Sequence, residues 1–154
     1  MAEPCILYDT DSITIFWSWY AATEEDMQAH LDNALYDVKY HDNPLTNVVR
    51  TPIEKRGSNY WVFWYAQVGN RPPGYHHISY QLNWEQAISD GYENFGPGTS
   101  TEQVNSSCSF IVRENPEGTA VQYSTWPFDD VNPWPIPNWP EAANIVPRPT
   151  ETTE

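Results

Sequence analysis

Asp90, Glu93 and Asn94 are the residues whose types and spacing come nearest to a metal site in this 154-residue chain. They place three oxygen-bearing side chains in the Gly-containing stretch DGYEN. Ca²⁺ takes about six to eight oxygen ligands, many of them from loops, although the spacing here does not match an EF-hand. An ordinary Asx-type turn would use the same residue types. The stretch is therefore a candidate calcium site with that turn as the alternative, and no other cofactor is expected.

Aromatic side chains form the second group with binding potential. The chain contains 8 Trp, 10 Tyr and 5 Phe, and Trp and Tyr at a surface can stack on sugar rings or anchor a protein interface. In the segment 60–68 (YWVFWYAQV), large groups occupy both alternating faces, so its outer face is either covered or forms an aromatic patch. The candidate ligand or interface residues are Trp61, Trp64, Tyr65, Trp126, Trp134 and Trp139.

The remaining reactive residue types give little support for catalysis. His76 and His77 are adjacent, so on a strand they point to opposite faces and cannot bind one metal together. His30 lies beside an apolar helical stripe, where a histidine is usually structural. No Ser lies in a nucleophile-elbow motif, and no Cys or His cluster has zinc-like spacing. Because acids are abundant, a carboxylate pair for glycoside hydrolysis stays open as an alternative.

Cys5 and Cys108 are the only cysteines, and we predict that they form a disulfide. The bridge requires the first strand and the strand of Cys108 to meet with both thiols pointing inward. Closing so long a loop would contribute on the order of 4–5 kcal/mol in the chain-entropy model. The alternative is two separate buried thiols.

The charge balance restricts the partners. The chain has 21 acids and 7 bases, with a net charge of −14 at pH 7. A nucleic-acid partner is excluded, because such binding depends on neutralising phosphates with basic side chains. Membrane insertion is not expected, since no apolar run approaches the ~20 residues that span a bilayer. The acidity itself indicates cation binding or, more simply, a soluble secreted protein.

The amino terminus lacks the basic and apolar regions of a signal peptide. The protein is therefore either cytosolic or exported with its signal already removed. The scarcity of Lys, the predicted disulfide and the carboxyl-terminal composition favour an extracellular or cell-surface location.

Strict alternation of side-chain character predicts a chain built mainly from β-strands. A Thr23 N-cap followed by three acids predicts one short helix near residues 24–33. A long loop is predicted over 88–107, since that stretch is rich in Gly, Ser, Thr and Asn. The predicted strands are 5–8, 13–20, 36–41, 45–53, 60–68, 75–84, 108–113 and 119–123.

The composition changes after Thr125. Half of the 14 prolines follow that residue, and proline favours extended polyproline structure over sheet pairing. We predict a β-sandwich domain over 1–125 and a Pro/Trp-rich extended tail over 126–154, partly docked on the domain surface. The last residues, 147–154 (PRPTETTE), have the composition of a Pro/Thr linker.

Four stretches carry a family resemblance: WSWYAATEEDMQAH, YDVKYHDNPL, PPGYHHISYQLNWEQAISDGYENFGPGT and CSFIV. Together they resemble bacterial exported immunoglobulin-like or fibronectin-III-like cell-surface domains, of the kind seen in Chloroflexi-type bacteria. The resemblance covers roughly residues 5–113 and implies export and a β-sandwich. The chain departs from the pattern in its helix after the second strand and in its Trp/Pro tail. The resemblance implies no catalytic residues.

The sequence therefore predicts an all-β, antiparallel, immunoglobulin-like β-sandwich of seven or eight strands with one short helix. The expected function is a non-catalytic extracellular or cell-surface module for adhesion, assembly or protein interaction, with a protein partner or self-association. The alternatives are a carbohydrate-binding module that uses exposed Trp and Tyr, and a secreted enzyme with a carboxylate pair.

Overall fold

The computed structural model describes residues 6–128. They form eleven β-strands and one α-helix, which confirms the predicted β-rich chain with a short helix. Six of these strands have only two or three residues, so five long strands carry the fold. The strands are β1 (Leu7–Tyr8), β2 (Ile13–Ala21), β3 (Ala34–Tyr40), β4 (Asn43–Pro44), β5 (Val49–Arg50), β6 (Glu54–Arg56), β7 (Asn59–Gly69), β8 (Gly74–Trp84), β9 (Ile88–Ser89), β10 (Asn94–Phe95) and β11 (Gln103–Arg113), and the helix α1 (Glu24–Asn33) follows β2.

The strands form two main sheets. Sheet A has the order β1-β11-β8-β3-β4, and sheet B has the order β2-β7-β5 with β6 also paired to β7. The short strands β9 and β10 pair only with each other within residues 6–128. All pairs are antiparallel except β1 with β11. Each main sheet therefore has a long central strand, β8 in sheet A and β7 in sheet B.

The core lies between the inward faces of the two sheets. Even-numbered positions of β8 and of β7 point into it, as the alternation predicts. One cluster surrounds Trp19, Trp64 and Trp84 and includes Met27 of the helix. A second cluster at the other end contains Ile15, Val68 and Val112, among others.

The predicted helix is confirmed as α1. The Thr23 side chain accepts a hydrogen bond from the backbone N–H of Asp26 at 3.1 Å, and the three acids of the first turn complement the helix dipole. Met27 and His30 are completely buried on the side that faces the sheets. The helix thus closes one end of the core.

Three predicted strands differ from the structure. The strand predicted from residue 108 begins at Gln103, because β11 pairs with β8 along its whole length, from Gln103↔Asn83 to Val112↔Gly74. The predicted strand 45–53 contributes only the two residues of β5.

The predicted strand 119–123 does not form. The Asn115 side chain donates to the Thr119 carbonyl at 3.0 Å and accepts from the Thr119 backbone N–H at 2.9 Å. Hydrogen bonds from this side chain, and not strand pairing, therefore position the start of the segment.

The start of the predicted tail belongs to the folded core. Phe128 is buried among the second core cluster and lies edge-on to Tyr40 at 5.6 Å. Trp126 is exposed and donates from its indole N–H to the carbonyl of Pro44 at 2.7 Å. Residues 129–154, which hold most of the predicted tail and its linker, lie outside the described part of the chain.

Asp9 ties the two ends of the described chain together. Its buried carboxylate accepts from the Asn115 side chain at 2.8 Å, from the Asn115 backbone N–H at 3.0 Å and from the Tyr123 hydroxyl at 2.9 Å. The hydrogen bond from Asn115 lowers the pKa of Asp9 against the opposing effect of burial. The hydrogen bond to Asp9 raises the pKa of Tyr123.

These shifts predict a pH window of stability. The pKa of Asp9 is lowered on folding, so its contribution is present above about pH 4 and is lost as the pH falls through the folded-state pKa. The pKa of Tyr123 is raised, so its contribution is present below about pH 10 and is lost at higher pH. Melting temperatures from circular dichroism should therefore fall in acid, and Asp9→Asn should flatten that fall and melt lower at neutral pH. The exposed Asp42→Asn is the control, and an Asp9→Asn profile that matches it contradicts the role of Asp9.

Candidate functional site

The predicted calcium residues lie in a turn at the end of β9. One Asp90 carboxylate oxygen, Oδ1, accepts the backbone N–H groups of Tyr92 and Glu93, both at 2.9 Å, and the carboxylate is fully buried. Gly91 adopts φ 91° against Ala22, where a Cβ atom would clash. Asp90 thus acts as the organiser of an Asx-type turn, the alternative that the sequence left open.

Glu93 and Asn94 are exposed beside this turn. Together with Ser89, Thr99 and Ser100 they line an open groove of about 740 Å³. Within residues 6–128, no group of three or more His, Cys, Asp or Glu side chains is placed to hold a metal ion. Calcium binding at Asp90, Glu93 and Asn94 stays a prediction.

The aromatic candidates divide between the core and the surface. Trp64 is buried in the core, with its ring 4.7 Å from that of Tyr36, so it is not the surface ligand residue that the sequence suggested. Tyr65 points to the outer face of sheet B and is also buried. Trp61 is half-buried on that outer face, and Trp126 is exposed. Trp134 and Trp139 lie outside the described residues.

The outer face of sheet B carries a continuous aromatic row. The Trp61 ring lies 4.8 Å from Tyr20 on β2 and stacks at 5.8 Å on Phe63, its neighbour along β7. The Arg56 guanidinium covers Phe63 at 4.9 Å. Tyr92, exposed at 57%, extends the row from the loop and donates to Asn59 at 2.5 Å. We refer to Tyr20, Trp61, Phe63 and Tyr92 as the aromatic row.

Within the described residues, β2 is the outermost strand on one side of sheet B and pairs with β7 alone. It is nine residues long, ITIFWSWYA, and contains no proline and no charged residue. Natural edge strands are usually shortened, charged, bulged or interrupted by proline, which discourages pairing with a second chain. A register shift between Ile13 and Thr14 is the one irregularity in its ladder. The strand is therefore a candidate for strand addition.

A buried polar group lies at the opposite end of the core from the helix. His76 donates from Nε2 to the Pro72 carbonyl at 2.7 Å, and its Nδ1 accepts from the Tyr40 hydroxyl. Burial lowers the pKa of His76 and raises that of Tyr40. His77 lies on the other face of β8, as the sequence predicts.

Arg71 packs over the rings of Tyr40 and Phe128 at 5.4 and 4.9 Å and donates to the Ser124 carbonyl. Burial lowers the pKa of Arg71. The side chain packs across the core beside Phe128, and its partners are structural, so this group stabilises the fold and offers no open site.

Cys108 lies opposite the buried Ile78 in the register of β8 and β11, so it is on the inward side of sheet A, as predicted. It is nevertheless exposed, because β11 lies beside the two-residue strand β1 near the margin of sheet A. The predicted meeting of the first strand with the strand of Cys108 does occur, in parallel orientation. Cys5 lies outside the described residues, so the disulfide stays a prediction.

The outer face of sheet A is a second open surface, and the sequence-based candidates missed it. We define it by the outward positions of β3, β8 and β11. Where these three strands pair with one another, the charged residues of the face are Asp37 and Lys39, which pair with each other at 3.5 Å. Arg113, the last residue of β11, lies beyond the pairing with β8. The alternation of β8 places its polar residues here, and only the full length of β11 completes the surface. The face consists of Leu35, Asp37, Lys39, Tyr75, His77, Ser79, Gln81, Asn83, Gln103, Asn105, Ser107, Ser109 and Ile111.

Comparison of the chain with protein-family models, with curated proteins and with solved structures finds no match. Within residues 6–128, no helix has the length and apolar character needed to cross a membrane.

Proposed function

We propose that this protein is a non-catalytic, extracellular or cell-surface β-sandwich module of the immunoglobulin-like type that serves adhesion, assembly or protein interaction. The observation that carries the proposal is β2, a nine-residue strand without proline or charge at the end of sheet B. The acidic, Lys-poor composition supports an exported location.

Strand addition is the binding mode that suits β2. An extended segment that pairs with a sheet edge gains main-chain hydrogen bonds, and alternate side chains provide specificity. Phe16 and Tyr20 project from β2 on the outer face of sheet B and are half-buried. Of the aromatic row on the same face, Phe63 is completely buried, whereas Trp61 and Tyr92 would contact the side chains of an added strand, and aromatic contacts dominate protein interfaces.

The carboxyl-terminal segment is the partner that we propose, supplied by a second copy of the chain. The described chain ends at Phe128, whose carbonyl accepts from Asn47, a residue that also donates to the Gln67 carbonyl on β7 of sheet B. The following segment, 129–140, contains Trp134 and Trp139 among prolines, a composition that favours extended conformation and offers large apolar side chains.

Truncation and one edge substitution test self-association. We expect the full chain to dimerise in sedimentation velocity, and removal of 129–154 to abolish dimers while the fold is kept. Ser18→Lys would place a charge beside the edge and weaken dimerisation by about tenfold or more. Ser79→Lys, on the central strand β8, is the matched control and should dimerise like the unmodified chain. A full chain that stays monomeric, or dimers that survive both changes, would contradict the proposal.

Carbohydrate binding is the second candidate function. The hydrogen-bonding outer face of sheet A, where Asp37 and Lys39 neutralise each other, favours it, because sugars offer many hydroxyl groups and no charge. A polysaccharide that binds at Trp61 or Trp126 would change the tryptophan fluorescence, whereas the outer face of sheet A contains no tryptophan. The spectroscopic response therefore distinguishes the two surfaces.

A further inference from the structure

We infer that the outer face of sheet A binds a neutral polysaccharide in an extended conformation, with Tyr75 as a stacking platform and Gln81 and Asn105 as hydroxyl ligands. The inference rests on the second candidate function, carbohydrate binding, and specifies the binding surface and the class of ligand for that function. Four features of the surface support it: its charge, its unused hydrogen-bonding groups, its exposed aromatic ring and its length.

The charge of this face differs from that of the whole molecule. The chain as a whole has a net charge of −14, but the part of this face where β3, β8 and β11 pair carries one acid and one base, Asp37 and Lys39, which neutralise each other. Arg113 lies outside that part, at the end of β11. A surface without net charge neither attracts cations nor steers charged partners. Its electrostatic complement is a neutral ligand.

The centre of the face has hydrogen-bonding groups that the fold does not use. Ser79, Gln81 and Ser107 make no side-chain hydrogen bond within residues 6–128, and they line a shallow groove of about 530 Å³ with Asn105. An amide side chain both donates and accepts, which matches paired sugar hydroxyls. Gln81 and Asn105 are directly opposite each other in the register of β8 and β11, so one sugar unit can contact both.

Tyr75 supplies the apolar contact that sugar rings require. Its side chain is 64% exposed, yet its hydroxyl lies 2.5 Å from Oγ of Ser109 on the neighbouring strand. His77 Nδ1 is 3.1 Å from the same oxygen. Because Ser109 is opposite His77, the Tyr75 ring must lean along the face toward it. Ile111, 63% exposed and directly opposite Tyr75, widens this apolar end.

The length of the face selects a chain over a single sugar. From Tyr75 to Asn83 the outward positions of β8 extend over about 27 Å. Tyr75 at one end of the face and Gln81 and Asn105 at its centre would then contact successive sugar units of one extended polysaccharide. We expect affinity to rise with the number of sugar units, as it does for any ligand that gains contacts along a strand.

The test uses the full chain and three soluble neutral polysaccharides, a mixed-linkage β-glucan, xylan and galactomannan, with the anionic polygalacturonate as a comparison. Isothermal titration calorimetry should detect at least one neutral polysaccharide and no polygalacturonate, with little change in tryptophan fluorescence. Tyr75→Ala should weaken binding by about tenfold. The double variant Gln81→Ala with Asn105→Ala should weaken it by a similar factor.

Tyr92→Ala is the matched control, because Tyr92 is another exposed tyrosine with a hydrogen-bonded hydroxyl but lies on the aromatic row. It should bind like the unmodified chain. If Tyr75→Ala still binds the polysaccharide and Trp61→Ala does not, the protein binds carbohydrate but not at the outer face of sheet A, and this inference is wrong. No binding to any neutral polysaccharide overturns both. If Tyr75→Ala abolishes dimers of the chain, the outer face of sheet A binds a second copy of the chain, and the inference is also wrong.

Discussion

His30→Ala is expected to lower the free energy of unfolding by about 3–5 kcal/mol. His30 is completely buried at the inward side of α1, where its ring stacks on Trp19 at a centroid distance of 4.4 Å. Alanine would leave a cavity beneath the helix, and such cavities are costly because the surroundings relax only in part. The change would loosen the end of the core that contains Trp19, Trp64 and Trp84.

The hydrogen bonds of His30 add to this cost. The Trp84 indole N–H donates to Nδ1 at 3.1 Å, so Nδ1 is unprotonated and Nε2 carries the proton toward the Tyr36 hydroxyl at 2.6 Å. Removing the imidazole deprives the buried Trp84 N–H of that acceptor, and an unsatisfied buried donor costs about 1–3 kcal/mol. The histidine is therefore a structural connector between the helix and two strands of sheet A.

Urea unfolding monitored by tryptophan fluorescence measures the effect, since three core tryptophans report on this region. His77→Ala is the matched control, because His77 lies on the outer face of β8, and its change should stay within about 0.5 kcal/mol of the unmodified chain. His30→Phe keeps most of the volume but removes the acceptor, so it should fall between the two. Equal stabilities for His30→Ala and His77→Ala would rule out the proposed role.

Phe128→Ala is expected to cost about 3–5 kcal/mol. Phe128 is buried in the second core cluster, with Tyr40 edge-on and the Arg71 guanidinium at 4.9 Å from its ring. Its loss would also expose the buried Arg71, whose position depends on packing over the two rings. The prediction places the end of the folded domain at or beyond residue 128, and not at residue 125.

Two truncations test this boundary directly. A chain that ends at Phe128 should melt like the full chain when both are compared as monomers, whereas a chain that ends at Thr125 should melt well below it. Trp126→Ala is the control, since this exposed side chain contributes a single hydrogen bond to Pro44 worth about 1 kcal/mol. If the two truncated chains have the same melting temperature, Phe128 is not part of the core.

Local pattern was sufficient for part of this fold. Alternation in the segments of β2, β3, β7 and β8 marks strands and divides each into two faces, because side chains on a strand alternate strictly. The Thr23 cap and the acids after it were sufficient for α1. The separation of His76 from His77 follows from the same alternation.

Other elements depended on partners far along the chain. The polar residues 103–107 have no strand pattern of their own, and they become strand because they pair with β8. The segment 119–123 has such a pattern but is held by Asn115 and Asp9. Phe128 lies in a proline-rich part of the sequence that predicts a tail. It is a core residue because it packs against Tyr40 and Arg71 in the tertiary structure.

The sequence by itself determined the mainly β character, the helix and which side chains share a face of each strand. The tertiary structure decided which of those faces points inward, and this assigned Trp64 to the core and Trp61 to the aromatic row. It also brought the polar positions of β3, β8 and β11 into one surface. The physical reason is that periodicity is a property of neighbouring residues, whereas sheet order and burial arise from hydrogen bonds and packing between residues far apart in the chain.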